Sequence, residues 1–220
     1  MTISRRAALL ALAGAFTTAW TYAQNPDAPH PKIAPERVHR FETEDVRVPD
    51  FLAEGHVLDI GGGGEGVIGL LKGAQVVAID LNRRELAEAP AGPLKIVMDA
   101  RDLKFLDASF RTATSFLTLM YVPEADQEKV CHEVHRVLTP GGRFLIWDVE
   151  LPTRPDPAKD VAVYRFRFEL PGRRIETGYG TFFPDRPHDL AYFTALARKT
   201  GFQVADEERH GRTLRLTLAR

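Results

Sequence analysis

The sequence predicts an α/β fold: a doubly wound, mostly parallel, seven-stranded sheet with a reversed C-terminal hairpin and an inserted β-hairpin. Three observations carry this. Between residues 56 and 149 short apolar runs alternate with stretches of helical period, as buried parallel strands and their crossover helices do. The first run leads into a glycine-only turn, VLDIGGGGEG over residues 57–66, and the next, VVAID, ends on an acid at Asp80. The last two runs, at about 203–209 and 213–219, are joined by a tight turn near His210 and Gly211, so they return antiparallel.

In chain order, residues 1–23 stand apart. Arg5 and Arg6 precede the apolar stretch AALLALAGAF, and Thr21 and Ala23 occupy the −3 and −1 positions of a cleavage after Ala23. A charged start, a short apolar middle and a small-residue end predict an export signal. The apolar run is too short for a comfortable membrane span. Ser4-Arg5-Arg6-Ala7-Ala8-Leu9 also resembles a twin-arginine signal, with Ala8 where a Phe is common. The protein is therefore expected to be exported if the signal works and cytoplasmic otherwise, with membrane contact only through an uncleaved signal. Residues 24–50 read as a linker and N-terminal segment, rich in Pro, Asn and Asp at first. Residues 51–220 read as the main domain.

Within it, strands are expected at 56–60, 75–80, 94–99, 112–118 and 143–149. Val67, Ile68, Leu70 and Leu71 form a short helix directly after the glycines, and Asn82 caps a second running to about residue 89. A third opens at Asp126, carries the stripe Val130, Val134, Val137 and Leu138, and is expected to end at Pro140-Gly141-Gly142. From Lys159 the period changes to two. Ala162, Tyr164, Phe166, Phe168 and Leu170 alternate with Val163, Arg165, Arg167 and Glu169. Pro171-Gly172 turns this strand and 174–183 returns, giving an inserted hairpin at 159–184. Leu190, Phe193, Leu196 and Ala197 mark a last helix, with Gly201 at its C-terminal cap.

Bulk properties exclude some classes of function. The 220 residues carry a net charge of −1 with signs interspersed and no long basic run, so the footprint of a nucleic-acid binder is missing. Cys131 is the single cysteine, which rules out an intramolecular disulfide and a cysteine-rich zinc site. Cys131, His132 and His135 lie close together, but the histidines point away from the helix's apolar stripe, so no metal site is expected. Arg165, Arg167, Arg173 and Arg174 read as a solvated strand face, and Tyr164, Phe166 and Phe168 as packing.

The chemistry concentrates at strand ends. In open α/β sheets ligands bind beyond the carboxyl ends of the strands, at the switch point. The turn at 61–66 lies there, and so does Asp80, whose carboxylate can accept hydrogen bonds from both hydroxyls of a ribose. Asp99 and Ala100 follow the third strand, where a polar side chain and a backbone amide can hold an adenine edge. Two cofactors compete for this set. Gly61, Gly63 and Gly66 satisfy the dinucleotide pattern G-x-G-x-x-G. Asp59, two residues before the first glycine, would crowd a pyrophosphate but suits a cationic amino-acid head. That favours S-adenosylmethionine over NAD.

The stretch from about residue 57 to 150 resembles the class I S-adenosylmethionine-dependent methyltransferases, in particular the ubiquinone-biosynthesis-like (type 11) group. LDIGGGGEG, AID at Asp80, MDARDLKF, DASF and HRVLTPGGRFLIWD carry the resemblance. It implies a Rossmann-like sheet, S-adenosylmethionine as cofactor, and in-line methyl transfer to a small-molecule acceptor. It also implies that Asp59, Gly61 and Gly63 contact the methionine part, Asp80 the ribose, and Asp99 and Ala100 the adenine, with Leu81 and Thr118 completing the cofactor set. Two departures stand out. Arg111 replaces an acid common in the family, and only about residues 33–54 are available for the usual N-terminal covering helices. The acceptor side is expected to be lined by Leu119, Met120, Tyr121, Asp148 and Glu150, with Tyr179 joining from the hairpin. Asp148, Glu150 and Tyr121 are the candidate bases, needed only if the acceptor must lose a proton. No obligate protein partner is expected. Two other readings remain. One is an NAD-linked oxidoreductase, for which no Tyr-x-x-x-Lys pair is evident. The other is a non-catalytic exported binding protein that keeps the fold, because S-adenosylmethionine is made in the cytoplasm.

Overall fold

A computed structural model of the protein describes residues 33–220. The export-signal reading of 1–23 and the first part of the linker lie outside the described residues.

The main sheet has seven strands in the order β4-β3-β2-β5-β6-β10-β9. They are β2 (Val57–Ile60), β3 (Val76–Asp80), β4 (Leu94–Val97), β5 (Phe110–Phe116), β6 (Leu138–Val149), β9 (Gln203–His210) and β10 (Thr213–Ala219). The first five pair in parallel, and β10 runs antiparallel to both β6 and β9. This is the predicted doubly wound sheet with its reversed final hairpin. Strands β2 and β3 are apolar on both faces because helices cover both. On one face, Ile68 of α1 (Val67–Lys72) and Leu86 of α2 (Arg83–Glu88) pack with Val57, Val76 and Ala78. On the other, Val130 and Val134 of α3 (Glu124–Val137) and Phe193 of α4 (Leu190–Lys199) pack on Leu58, Ile60, Phe144 and Leu216.

The caps follow the sequence. The Asn82 side chain accepts from the backbone N–H groups of Arg84 and Glu85. Asp189 caps α4 through Tyr192 N at 2.9 Å, and Gly201 follows its end with φ +93°. Several boundaries differ from expectation. Helix α3 starts at Glu124, before Asp126, and stops at Val137. Leu138 already pairs with Phe110, and 139–142 bulge out before pairing resumes at Arg143 with Thr112. Pro140-Gly141-Gly142 therefore shapes a bulge at the start of β6 rather than the helix end. Strand β5 begins at Phe110, two residues early, and β4 stops at Val97, which leaves Asp99 in the turn beyond.

The larger difference concerns the segment read as linker and N-terminal segment. Val38–Arg47 forms a ten-residue strand, β1, and pairs in parallel with β7 (Val161–Leu170). Strand β8 (Arg173–Phe182) pairs antiparallel with β7, so the inserted hairpin becomes a three-stranded sheet, β1-β7-β8. Alternating polar residues hid β1, since only Val38 and Val46 of its ten residues are buried.

This second sheet roofs the carboxyl edge of the first, and its strand order follows the strands beneath. Strand β8 touches the loops after β2 and β5: Thr177 and Tyr179 donate to Glu65, and Thr181 Oγ1 donates to the Met120 carbonyl at 3.0 Å. Strand β7 lies over the end of β6, where the Tyr164 hydroxyl donates to the Glu150 carbonyl. Strand β1 lies over the β9–β10 turn: Glu44 accepts from Arg212 N at 2.9 Å, and Arg212 stacks on Phe41. The predicted two-faced pattern of β7 holds. Tyr164, Phe166 and Phe168 form an inward row of stacked rings, and Arg167 points outward to Asp45.

Candidate active site

The turn after β2 takes its shape from what crowds it. Gly61 has φ +70°, and a Cβ there would overlap Thr118. Gly63 is approached from the other side: a Cβ would stand 2.8 Å from Asp80 Oδ2 and 2.6 Å from the Glu85 side chain. Gly62 N donates to the Ile79 carbonyl and Gly64 N to the Glu85 carbonyl, each at 2.9 Å. The turn is thus pinned against the end of β3 and the start of α2, with its glycine backbone bared beside the Asp80 carboxylate. The other Asp80 oxygen accepts from Asn82 N at 2.8 Å. Half-buried Leu81 lies between them.

Asp59 is 2% exposed, and its Oδ2 lies under Gly62. Thr114 Oγ1 donates to its other oxygen at 2.7 Å. Burial pushes its pKa up to about 7, and the Asp80 charge adds to the rise, while the Thr114 bond opposes it. A buried carboxyl in this state gains from any cation placed over Gly62. Thr118 reaches Gly61 because Leu117, just before it, adopts φ +51°. That is a left-handed conformation rare for leucine, held by the Leu117 N–H on the Trp147 carbonyl at 2.8 Å. Nothing in the local sequence announces this residue.

Asp99 has a partner within the protein that the sequence did not suggest. Both its oxygens receive the Arg101 guanidinium, and Oδ1 also accepts the Arg101 backbone N–H. The Arg101 bond holds the Asp99 pKa below the usual carboxylate range, and Arg101 bridges on to Asp126 at 2.9 Å. The carboxylate assigned to the adenine is thus also engaged with Arg101, beside the Ala100 backbone.

The candidate bases fare unequally. Asp148 is fully buried, and its carboxylate accepts the backbone N–H of Val149 at 2.8 Å and of Met120 at 3.3 Å. Burial lifts its pKa to about 7. It anchors the turn Leu119–Tyr121 from beneath and presents no oxygen to an acceptor. Glu150 pairs with Arg209 and lines a different cleft of about 680 Å³, shared with Glu44, Asp189 and Arg212. Tyr121 is 47% exposed, but packing around its hydroxyl raises its pKa, as do the charges of Glu65, Asp148 and Glu85. A phenol held protonated in this way is a poor base. Leu119 and Met120 are buried and serve as the floor. Tyr179 does reach the site, donating to Glu65 Oε2 at 3.2 Å, beside Thr177 donating to Oε1 at 2.7 Å. Glu65 and Thr177 were not singled out in the sequence. The E of GGGGEG looks like a helix-start acid until β8 is placed over it.

Among the described residues no group of three potential metal ligands comes together, and no helix is long and apolar enough to cross a membrane. Cys131 is buried and its pKa is pushed up to about 12 by burial, so it is inert packing.

The methyltransferase-domain family profile matches residues 58–146, which run from β2 to β6 and hold the whole glycine turn. An uncharacterized methyltransferase of Synechocystis is 31% identical over 170 residues, covering 74% of this chain and 76% of that protein. The sterol 4-C-methyltransferase of Caenorhabditis elegans is 33% identical over 105 residues, but these cover 43% of this chain and only 31% of that protein. Among solved structures, an S-adenosylmethionine-dependent methyltransferase from Mesorhizobium loti superposes with a TM-score of 0.52 at 18% identity, covering 75% of this chain and 90% of that one, a likeness of fold. With the glycine turn, Asp59 and Asp80 at the matching strand ends, the chain belongs to the class I S-adenosylmethionine-dependent methyltransferases.

Proposed function

We propose that the protein transfers a methyl group from S-adenosylmethionine to a small-molecule acceptor. The observation that carries this reading is the bared glycine turn at 61–66, packed so closely beside the Asp80 carboxylate that Gly63 has no room for a Cβ, with Asp59 buried beneath it. In this reading Asp80 accepts hydrogen bonds from the ribose hydroxyls. Asp59 lies under the turn as a carboxyl whose charged form an ammonium above it would favour and a dinucleotide's pyrophosphate would oppose. Bound there, S-adenosylmethionine supplies a methyl group on a sulfonium, a leaving group that needs no further activation. The protein's work is then alignment and exclusion of water, which together can account for a large part of a barrier. Thr118 fixes the turn from one side. Met120 and Leu119, held by Asp148, form the floor, and the β1-β7-β8 sheet closes the acceptor side.

The test is isothermal titration with S-adenosylmethionine, S-adenosylhomocysteine and NAD. The first two are expected to bind and NAD not to. Asp80→Ala is expected to weaken S-adenosylmethionine at least tenfold. Unchanged affinity in that variant, or preference for NAD, would overturn the assignment.

A further inference from the structure

The roof and the glycine turn are joined through one side chain. Glu65 sits in the turn and points away from the main sheet. Thr177 Oγ1 donates to its Oε1 at 2.7 Å and the Tyr179 hydroxyl to its Oε2 at 3.2 Å. Two residues further along β8, Thr181 donates to the Met120 carbonyl in the other loop that borders the site. Thr177 and Thr181 are each less than a tenth exposed, so these bonds are shielded from water. Residues 177, 179 and 181 share one face of β8, as period two requires, and every hydroxyl on that face bonds to a cofactor-side loop.

We propose that Glu65 is a positioning residue that couples cofactor binding to closure of the acceptor roof. The inference rests on the methyltransferase reading above. A carboxylate receiving two hydroxyl donors makes charge-assisted bonds, about twice as strong as neutral ones. Burial, together with the Glu65 charge, raises the Tyr179 pKa well above that of a free phenol, so its hydroxyl stays a donor. The geometry of these bonds depends on where the turn holds Glu65. A cofactor that orders the turn therefore orders β8, and by linkage a closed roof tightens the cofactor by the same factor.

The test follows hydrogen exchange of residues 175–182 and the dissociation rate of S-adenosylhomocysteine in the full chain. In the wild type, S-adenosylhomocysteine is expected to slow exchange in this segment. In Glu65→Ala that response is expected to vanish and the ligand to dissociate about tenfold faster, while exchange in the β2 and β3 core stays unchanged. Glu65→Gln, which can still bond both hydroxyls, is expected to restore part of the response. The pair Thr177→Val and Tyr179→Phe, which preserves shape, is expected to reproduce the Glu65→Ala result and to add nothing to it. A roof that still responds to ligand in Glu65→Ala would overturn the coupling and leave the methyltransferase reading standing, as would additive effects of the two sets. A wild type that does not bind S-adenosylhomocysteine would overturn both.

Discussion

Asp59 illustrates how one buried carboxyl ties stability to the cofactor site. Its pKa rises from 3.8 to about 7, so between those values the folded chain holds a proton that the unfolded chain has released. Its contribution to stability is therefore full below about pH 4 and is lost as pH rises through about 7. Asp148 behaves in the same way, whereas Asp99 and Asp126, whose pKa values are lowered by their cationic partners, lose their contribution in acid. Asp59→Asn keeps a partner for Thr114 but removes the titration. Its melting temperature is expected to fall less than that of the wild type between about pH 5 and 8, as thermal unfolding would show. Parallel curves would remove Asp59 from the account. In the sequence Asp59 was legible, because an acid inside an apolar strand is conspicuous. Leu117 was not, since a left-handed leucine is imposed by the strands around it. The Arg101 pairing of Asp99 was not legible either, since two residues of spacing do not announce it.

At the scale of elements, β7 anchors the roof through its inward rings. Phe166 is 2% exposed and lies between Tyr164 and Phe168, with ring centroids 6.2 and 5.3 Å away. Phe166→Ala removes the middle of this row and is expected to cost about 3–5 kcal/mol in urea unfolding. A loss below about 1 kcal/mol would show that the roof contributes little to the cooperative unit. The hairpin was legible because period-two alternation on β7 is strict. Its partner β1 was not: VHRFETEDVR has few buried positions, and its pairing depends on a strand far along the chain. The bulge at 139–142 was hidden for a related reason, since Pro-Gly-Gly serves a helix end and a strand bulge equally well.

At the scale of the whole molecule, the matched core from β2 to β6 holds the glycine turn, Asp59 and Asp80, and the β1-β7-β8 sheet lies over its carboxyl edge. Residues 1–23 carry the pattern of a twin-arginine-like leader, and we propose that they direct export. A reporter fused behind them is expected outside the cytoplasm, and fluorescence confined to the cytoplasm would defeat that proposal. Twin-arginine export carries folded proteins, so such a chain could leave with cofactor already bound. The parallel pairing of β1 with β7 also sets a schedule. Arg37, just before β1, bonds Asp160, just before β7, across a separation of 123 residues. On a ribosome adding about 5–20 residues per second, β1 waits roughly 6–25 s for its neighbour to emerge. A contact of such long range also closes late during folding. Strand β1 is thus among the last to be seated, and its docking reports that synthesis has passed the glycine turn, the sheet centre and the first strand of the roof hairpin.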